Sequence, residues 1–435
     1  MSFRHSISRR RFLGHAATTL AVPAIIPRTV LASATQLGAN DRIGVGYIGV
    51  GRRAGGLYGL PKEGQVVAAA DVHEARAQAI AEKFKAKPFT HYRKLLDMKE
   101  VDAVVNAAPD HWRAIQCIHA CQARKHIYAE KSLTLTIREG RAICDAVKKY
   151  NIVFQTGSQQ RSMAANRRAC ELIRNGVLGK IEKVIGANYP TSWLMNLPGE
   201  PVPEGLDWDQ WCGPAPLVPY HIDLYSPRRN PGWLSVWPYS GGEMTGWGAH
   251  GLDQIQWALG ADDGGPLEVW CEDGKYEMPV FDKPISRGEG DAMFRNKWKV
   301  HYLYPGGVEV VLDNGSGAGG IFIGEKGRIE IRRNAFSANP SELADAELPE
   351  SAVRLVESNN HMGNWFDCMK TGALPVANAE VGHRSTTVCH LGNIARWVGR
   401  RLKWDPVKEE FPGDDEANRY LDVDRRKGYE LPVPV

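Results

Sequence analysis

Between residues 41 and about 157, short apolar runs alternate with stretches whose apolar positions recur every three to four residues. The first kind reads as buried strand and the second as amphipathic helix, so the alternation predicts βαβ units around a parallel sheet. Strands are expected at 43–48, 65–70, 101–107, 126–129 and 152–155, and helices at 74–84, 110–122 and 137–150. After Arg161 the pattern changes to a helix ending at Asn175-Gly176 and then to longer β-rich segments, 181–189, 297–304 and 308–312. That change places a domain boundary, with one domain over 41–160 and a second over 161–435. The stretch 188–247 is irregular, rich in Pro and Gly, and holds six of the thirteen tryptophans: Trp193, Trp208, Trp211, Trp233, Trp237 and Trp247. Aromatic faces gathered on loops suit a carbohydrate, whose C–H faces pack on rings, although some of these side chains must be core.

Length and charge narrow the picture. At 435 residues the chain suits two domains rather than one ordinary core. The formal charge is +4, but residues 1–34 hold Arg4, Arg9, Arg10, Arg11 and Arg28 and no acid. The basic excess belongs to that segment, which argues against nucleic acid as a partner. No apolar run reaches the roughly twenty residues needed to span a bilayer. Within the basic segment, Ser8-Arg9-Arg10-Arg11-Phe12-Leu13 precedes an apolar stretch, 16–26, and then Ala32-Ser33-Ala34, a small-residue cleavage pattern. The order resembles a twin-arginine export signal over residues 1–34, which implies the matching export machinery as a partner and a periplasmic or otherwise exported destination. The eight cysteines show no paired metal-ligand spacing, and Cys117 and Cys121, four apart on an expected helix, read as small buried hydrophobes.

The strongest local motif is Ile48-Gly49-Val50-Gly51-Arg52-Arg53-Ala54, directly after the first expected strand and opening an expected helix. Gly49 permits a tight turn, Gly51 lets backbone approach a pyrophosphate, and Ala54 lets helix and strand pack closely, with the pyrophosphate on the helix N-terminus. Asp71 ends the second strand about twenty residues on, where a carboxylate accepts the ribose hydroxyls. An acid there repels a 2′-phosphate and favours NAD over NADP, while Arg52 and Arg53 pull the other way.

With these residues in place, the chain resembles the glucose-fructose oxidoreductase / inositol dehydrogenase (Gfo/Idh/MocA) family over essentially all of its mature length. The likeness rests on Ile48-Gly49-Val50-Gly51, on Ala108-Pro109-Asp110-His111 after the fourth strand, and on Glu130-Lys131-Ser132 after the fifth. It continues in Gln155-Thr156-Gly157-Ser158-Gln159-Gln160-Arg161 and in Gly241-Gly242-Glu243-Met244-Thr245-Gly246-Trp247-Gly248-Ala249-His250-Gly251-Leu252-Asp253. Asp207-Trp208-Asp209-Gln210-Trp211 and His390-Leu391-Gly392-Asn393-Ile394-Ala395 resemble an exported subgroup. The resemblance implies an α/β chain: a doubly wound Rossmann domain followed by an α+β substrate domain with a large, mainly antiparallel open sheet, one face of which could pair copies as in relatives. It also implies NAD contacts from Gly49, Val50, Gly51, Arg52, Arg53, Asp71, Pro109, His111, Glu130 and Lys131. Two departures stand out. Ser132 replaces the proline of the family's Glu-Lys-Pro, and Gly246 stands where relatives carry an aspartate four residues before the histidine.

Oxidising a secondary alcohol requires a base for the hydroxyl proton while a hydride leaves the same carbon. Lys131 is the candidate, at a strand end on the sheet's carboxyl edge, where burial would lower its pKa toward working pH. His250, near the start of a helix with Asp253 one turn on, is expected as a neutral imidazole exchanging a proton with substrate or Lys131. Arg161, Trp247 and Asp253 are further substrate-pocket candidates, with His361 behind them. No metal site is expected, because His250 and Asp253 are too few ligands. The reading is an NAD(H)-dependent oxidoreductase acting on a sugar, sugar derivative or cyclitol. A redox-neutral hydrolase, lyase or epimerase that reuses its bound NAD is one alternative, and a sugar- and NAD-binding protein without turnover is the other.

Overall fold

The computed structural model describes residues 42–294 and 297–433. The expected leader, with Arg9, Arg10 and the cleavage pattern at 32–34, lies outside the described residues. The first sheet comprises β1 (Ile43–Ile48), β2 (Gly64–Ala70), β3 (Lys87–Phe89), β4 (Ala103–Asn106), β5 (His126–Ala129) and β6 (Phe154–Thr156). Its order is β3-β2-β1-β4-β5-β6, the doubly wound arrangement. The interior strands β1, β4 and β5 are buried almost throughout, as a parallel sheet covered by helices on both faces requires. The helices Glu74–Phe84, Asp110–Gln122 and Ile137–Tyr150 have the expected bounds. The last starts in a capping box between Thr136 and Glu139 and stops at Asn151 in the left-handed region.

Two expectations need correction. The strand β3 went unread because it is a three-residue exposed edge containing Pro88, a position where a missing ladder donor is tolerated. The glycine motif does not open a full helix: it leads into one 3-10 turn, Ala54–Leu57. Gly55, Gly56, Gly59 and Pro61 follow so closely that helix propagation fails. Any anion bound here therefore relies on local N–H groups rather than on a long helix dipole.

The second sheet contains β7 (Ile181–Ala187), β9 (Glu268–Cys271), β11 (Val300–Leu303), β12 (Glu309–Asp313), β13 (Gly320–Gly324), β14 (Gly327–Arg332), β15 (Ala335–Asn339) and β16 (Leu402–Lys403), while β8 (Leu194–Met195) and β10 (Val280–Phe281) form a separate pair. It is antiparallel apart from the β7–β12 pairing. Burial alternates along β13, so one face packs on a core that includes helices Ala164–Arg174, Gly248–Leu259 and Ala379–Val398. Among the described residues no helix is long and apolar enough to cross a membrane, and no cluster of three metal-ligating side chains occurs. All eight cysteines are buried and unpaired.

The helix Ala379–Val398 also reaches the first sheet. Thr156 N donates to Ala377 O at 2.7 Å, just before that helix begins. Arg141, on helix Ile137–Tyr150, donates to both oxygens of Glu380 at 2.9 and 2.7 Å and to both of Glu409 at 3.1 and 2.8 Å. His383 adds a bond to Glu409 at 2.6 Å. Burial alone would raise both carboxyls, but these bonds and the charge of Arg141 override it and hold both at about 2. Folded-state values below the unfolded ones stabilise the protein above the ordinary glutamate range, and that contribution fades as pH falls toward about 2. Glu409→Ala, which strands buried cations, should cost about 3 kcal/mol and flatten the acid limb of a melting-temperature profile; an unchanged profile would remove the clamp from the account.

Candidate functional site

Strand order reverses between β1 and β4, and at their carboxyl ends the chain opens a cleft of about 600 Å³, where open α/β sheets bind ligands. Gly49 turns away from β1 at φ +76°, and a Cβ there would strike Ala108 N at 2.7 Å, so only glycine closes this turn against the neighbouring loop. A Cβ on Gly51 would meet only Arg76 Nη1, at 3.8 Å. What Gly51 leaves free is cleft. Val50 N and His73 N donate to the two oxygens of Asp71, each at 2.9 Å, fixing its carboxylate at the end of β2. Burial raises the Asp71 carboxyl, against those two bonds and nearby Arg76. Arg52, Arg53 and Pro109 line the same cleft, and Arg53 pairs with Glu130 at 2.7 Å. Backbone at the glycine turn and an oriented carboxylate at one end fit a dinucleotide.

Glu130 and Lys131, leaving β5, line the same cleft, and a cis Lys131–Ser132 peptide turns the chain to the buried Ser132. The Lys131 ammonium donates to Gly246 O at 2.8 Å. Burial pushes its pKa below the ordinary lysine value, against Glu130 and Asp110, which favour the charge; Arg228 adds to the lowering. Its backbone is tightly held. Buried Arg113 donates to Ser132 O, to Ala108 O at 2.6 Å and to Asp110 Oδ1 at 3.1 Å. Ser132 Oγ donates to Thr245 O at 2.6 Å. Where the family has proline, this serine therefore ties the lysine-bearing turn to the segment opposite.

His250, third residue of helix Gly248–Leu259, lines the cleft beside Trp247, their ring centroids 5.7 Å apart. Burial, followed by the charges of Lys131, Arg333, Arg53 and Arg228, holds its pKa well below the ordinary value, so the imidazole is neutral at neutral pH. The space vacated at Gly246 is taken from one turn earlier. A Cβ on Gly246 would lie 2.8 Å from Glu243 Oε2, and the buried Glu243 carboxylate accepts from Arg228 Nε and Nη2 at 3.0 and 3.1 Å. Sequence reading missed Glu243, Arg228, Arg113 and Arg333. Only Glu243 left a local signal, standing three residues before Gly246.

Several expected residues lie elsewhere. His111 does not line the cleft. Its Nε2 meets Trp211 O at 2.9 Å, and its ring packs edge-on against Tyr239. Burial lowers it to about 4, so it joins the Rossmann domain to the aromatic loop cluster. Arg161 and Asp253 come together at 2.8 Å, with Asp262 at 2.7 Å from the same arginine, away from the cleft lining. They anchor the helix that carries His250. His361, half-buried, sits between Ser162 Oγ and Thr156 O, each at 2.8 Å. Of the six loop tryptophans, Trp211, Trp233 and Trp247 line the cleft, whereas Trp193 and Trp208 are core.

Residues 43–158 match the family described as "Oxidoreductase family, NAD-binding Rossmann fold", and residues 167–431 match "Oxidoreductase family, C-terminal alpha/beta domain". The levoglucosan dehydrogenase of Pseudarthrobacter phenanthrenivorans is 34% identical over 111 residues, covering 23% of this chain and 28% of that protein. The inositol 2-dehydrogenase of Salmonella typhimurium is 28% identical over 156 residues, covering 34% and 45%. The chain thus spans less than half the length of these curated relatives. In fold it is similar to the aldose-aldose oxidoreductase of Caulobacter crescentus crystallised with glycerol, with a TM-score of 0.55 at 18% identity over 83% of this chain and 99% of that one.

Gly246→Asp should set two carboxylates against each other and lower the melting temperature by at least the equivalent of about 1 kcal/mol. Adding Glu243→Ala should restore much of it, because Asp at 246 then faces Arg228 alone. Equal melting of Gly246→Asp and the wild type would contradict the packing described.

Proposed function

The chain belongs to the oxidoreductase family that joins an NAD-binding Rossmann domain to a C-terminal α/β domain, and on that premise we propose that it oxidises a secondary alcohol of a sugar, sugar derivative or cyclitol. The observation that carries the reading is a half-buried lysine of lowered pKa and a neutral histidine on one cleft with the glycine turn and Asp71. Gly49, Val50, Gly51, Arg52, Arg53, Asp71, Pro109 and Glu130 form the cofactor end; NAD, when bound there, supplies the hydride acceptor. Lys131 in its amine form takes the hydroxyl proton while one of its N–H groups stays on Gly246 O. His250, neutral, passes that proton on, and Trp247 offers a ring to the sugar face. Two relatives named as dehydrogenases of levoglucosan and inositol support the substrate class. Lys131→Met should slow single-turnover nicotinamide reduction by a sugar about 100-fold while the protein still binds NAD(H). Near-normal rates would end the mechanism. An absorbance change that recovers without added NAD would instead favour the redox-neutral cycle.

We further propose that the basic leader directs export of the folded, cofactor-loaded protein. The order of arginines, apolar stretch and small residues supports it. An outside compartment without free nucleotide then demands slow cofactor release, and affinity is set mostly through dissociation. Arg9→Lys with Arg10→Lys should trap the precursor in the cytoplasm, and mature protein should carry NAD(H) through gel filtration. Unchanged export of the double variant would remove this route.

A further inference from the structure

The side chains lining the cleft include six arginines and Lys131 but only three carboxylates. Most of the cations are accounted for. Arg113 is bonded to Asp110, Arg53 to Glu130, and Arg228 to Glu243. Arg76 stands by Asp71, and Arg52 belongs to the glycine motif, where a pyrophosphate would lie. Arg333 is different: it lines the cleft and acts on His250, yet among the described residues it has no ion-pair partner. Its backbone is firmly placed. It occupies the turn between β14 and β15, and buried Asn166 holds both of its neighbours, donating to Arg332 O at 3.0 Å and accepting from Asn334 N at 2.9 Å. Asn166 is itself fixed to Gln254 Oε1 at 2.8 Å. Arg332, next door, is occupied by Glu330 at 2.8 and 3.0 Å.

An exposed, unpaired guanidinium carried on a firmly bonded turn at the edge of a cleft already rich in positive charge suits an anion, since a planar fork of donors matches carboxylate and phosphate oxygens. We propose that the substrate bears an anionic substituent, a carboxylate or a phosphate on the sugar, and that Arg333 is the residue that selects it. This rests on the alcohol-oxidising reading above and narrows it. Both candidate substituents share the same charged oxygens, and a neutral hexose lacks them. Arg333 then acts as a specificity residue, holding the far end of the ring while Lys131 and His250 work on the hydroxyl. A cation placed there for a neutral substrate would only repel a protonated His250 and gain nothing from the ligand.

The test uses full-length mature protein loaded with NAD and compares calorimetric binding of D-glucuronate and D-glucose 6-phosphate with that of D-glucose, and of the galactose equivalents. At least one anion should bind ten-fold or more tightly than its neutral parent, a preference that declines as salt rises. In Arg333→Ala the anion-to-neutral ratio should collapse, whereas Arg332→Ala should keep it. The better-bound anion identifies the substituent. If neither anion exceeds its parent, or if the ratio is unchanged in Arg333→Ala, the proposal is overturned. Nicotinamide absorbance is read separately: an anion preference without hydride transfer would remove the oxidoreductase reading alone, and hydride transfer from neutral hexoses without anion preference would remove this one alone.

Discussion

The bond from the Lys131 ammonium to the Gly246 carbonyl organises this molecule. It joins the end of a Rossmann strand to the segment that leads into the His250 helix, and it does so with a side chain that burial would rather see uncharged. A lysine in that position needs a partner that accepts a hydrogen bond from either of its protonation states. A backbone carbonyl is such a partner; a carboxylate would fix the charge. Much of the nearby hydrogen bonding exists to hold this arrangement, from the Arg113 guanidinium on Ser132 O to the Ser132 hydroxyl on Thr245 O.

The electrostatics around that bond follow one logic. Carboxylates are present, but each is matched to an arginine slightly removed from the lysine: Glu130 to Arg53, Asp110 to Arg113, Glu243 to Arg228. Burial, joined by the charges of Lys131, Arg333, Arg53 and Arg228, keeps His250 neutral, while burial and Arg228 depress Lys131 against the pull of Glu130, Asp110 and Glu243. Gly246 belongs to the same pattern. Its missing side chain makes room for a glutamate from one turn earlier, so negative charge is kept at that point but tethered to Arg228.

What could be read from the sequence was local. The helices Asp110–Gln122 and Ile137–Tyr150 declare themselves through amphipathic spacing and end signals, and Gly49, Gly51 and Asp71 through fixed offsets along one βαβ unit. Errors arose where local signals compete or vanish. A glycine motif usually opens a helix, but Gly55 and Gly56 cut this one to a single turn. His111, Arg161 and Asp253 lie in or beside chemical motifs and proved to be buried struts, because polarity alone does not reveal which way a side chain points. Arg228 and Arg333 were invisible for the opposite reason: each reaches the cleft from a distant loop or hairpin that only tertiary packing brings there.

That Lys131 works as a half-buried base of lowered pKa is tested most directly by the pH dependence of single-turnover hydride transfer to bound NAD, in the wild type and in Lys131→Met. The wild-type rate should rise with pH through a group titrating below the ordinary lysine range, a limb absent from the variant. A profile with the same alkaline limb in both proteins would contradict it.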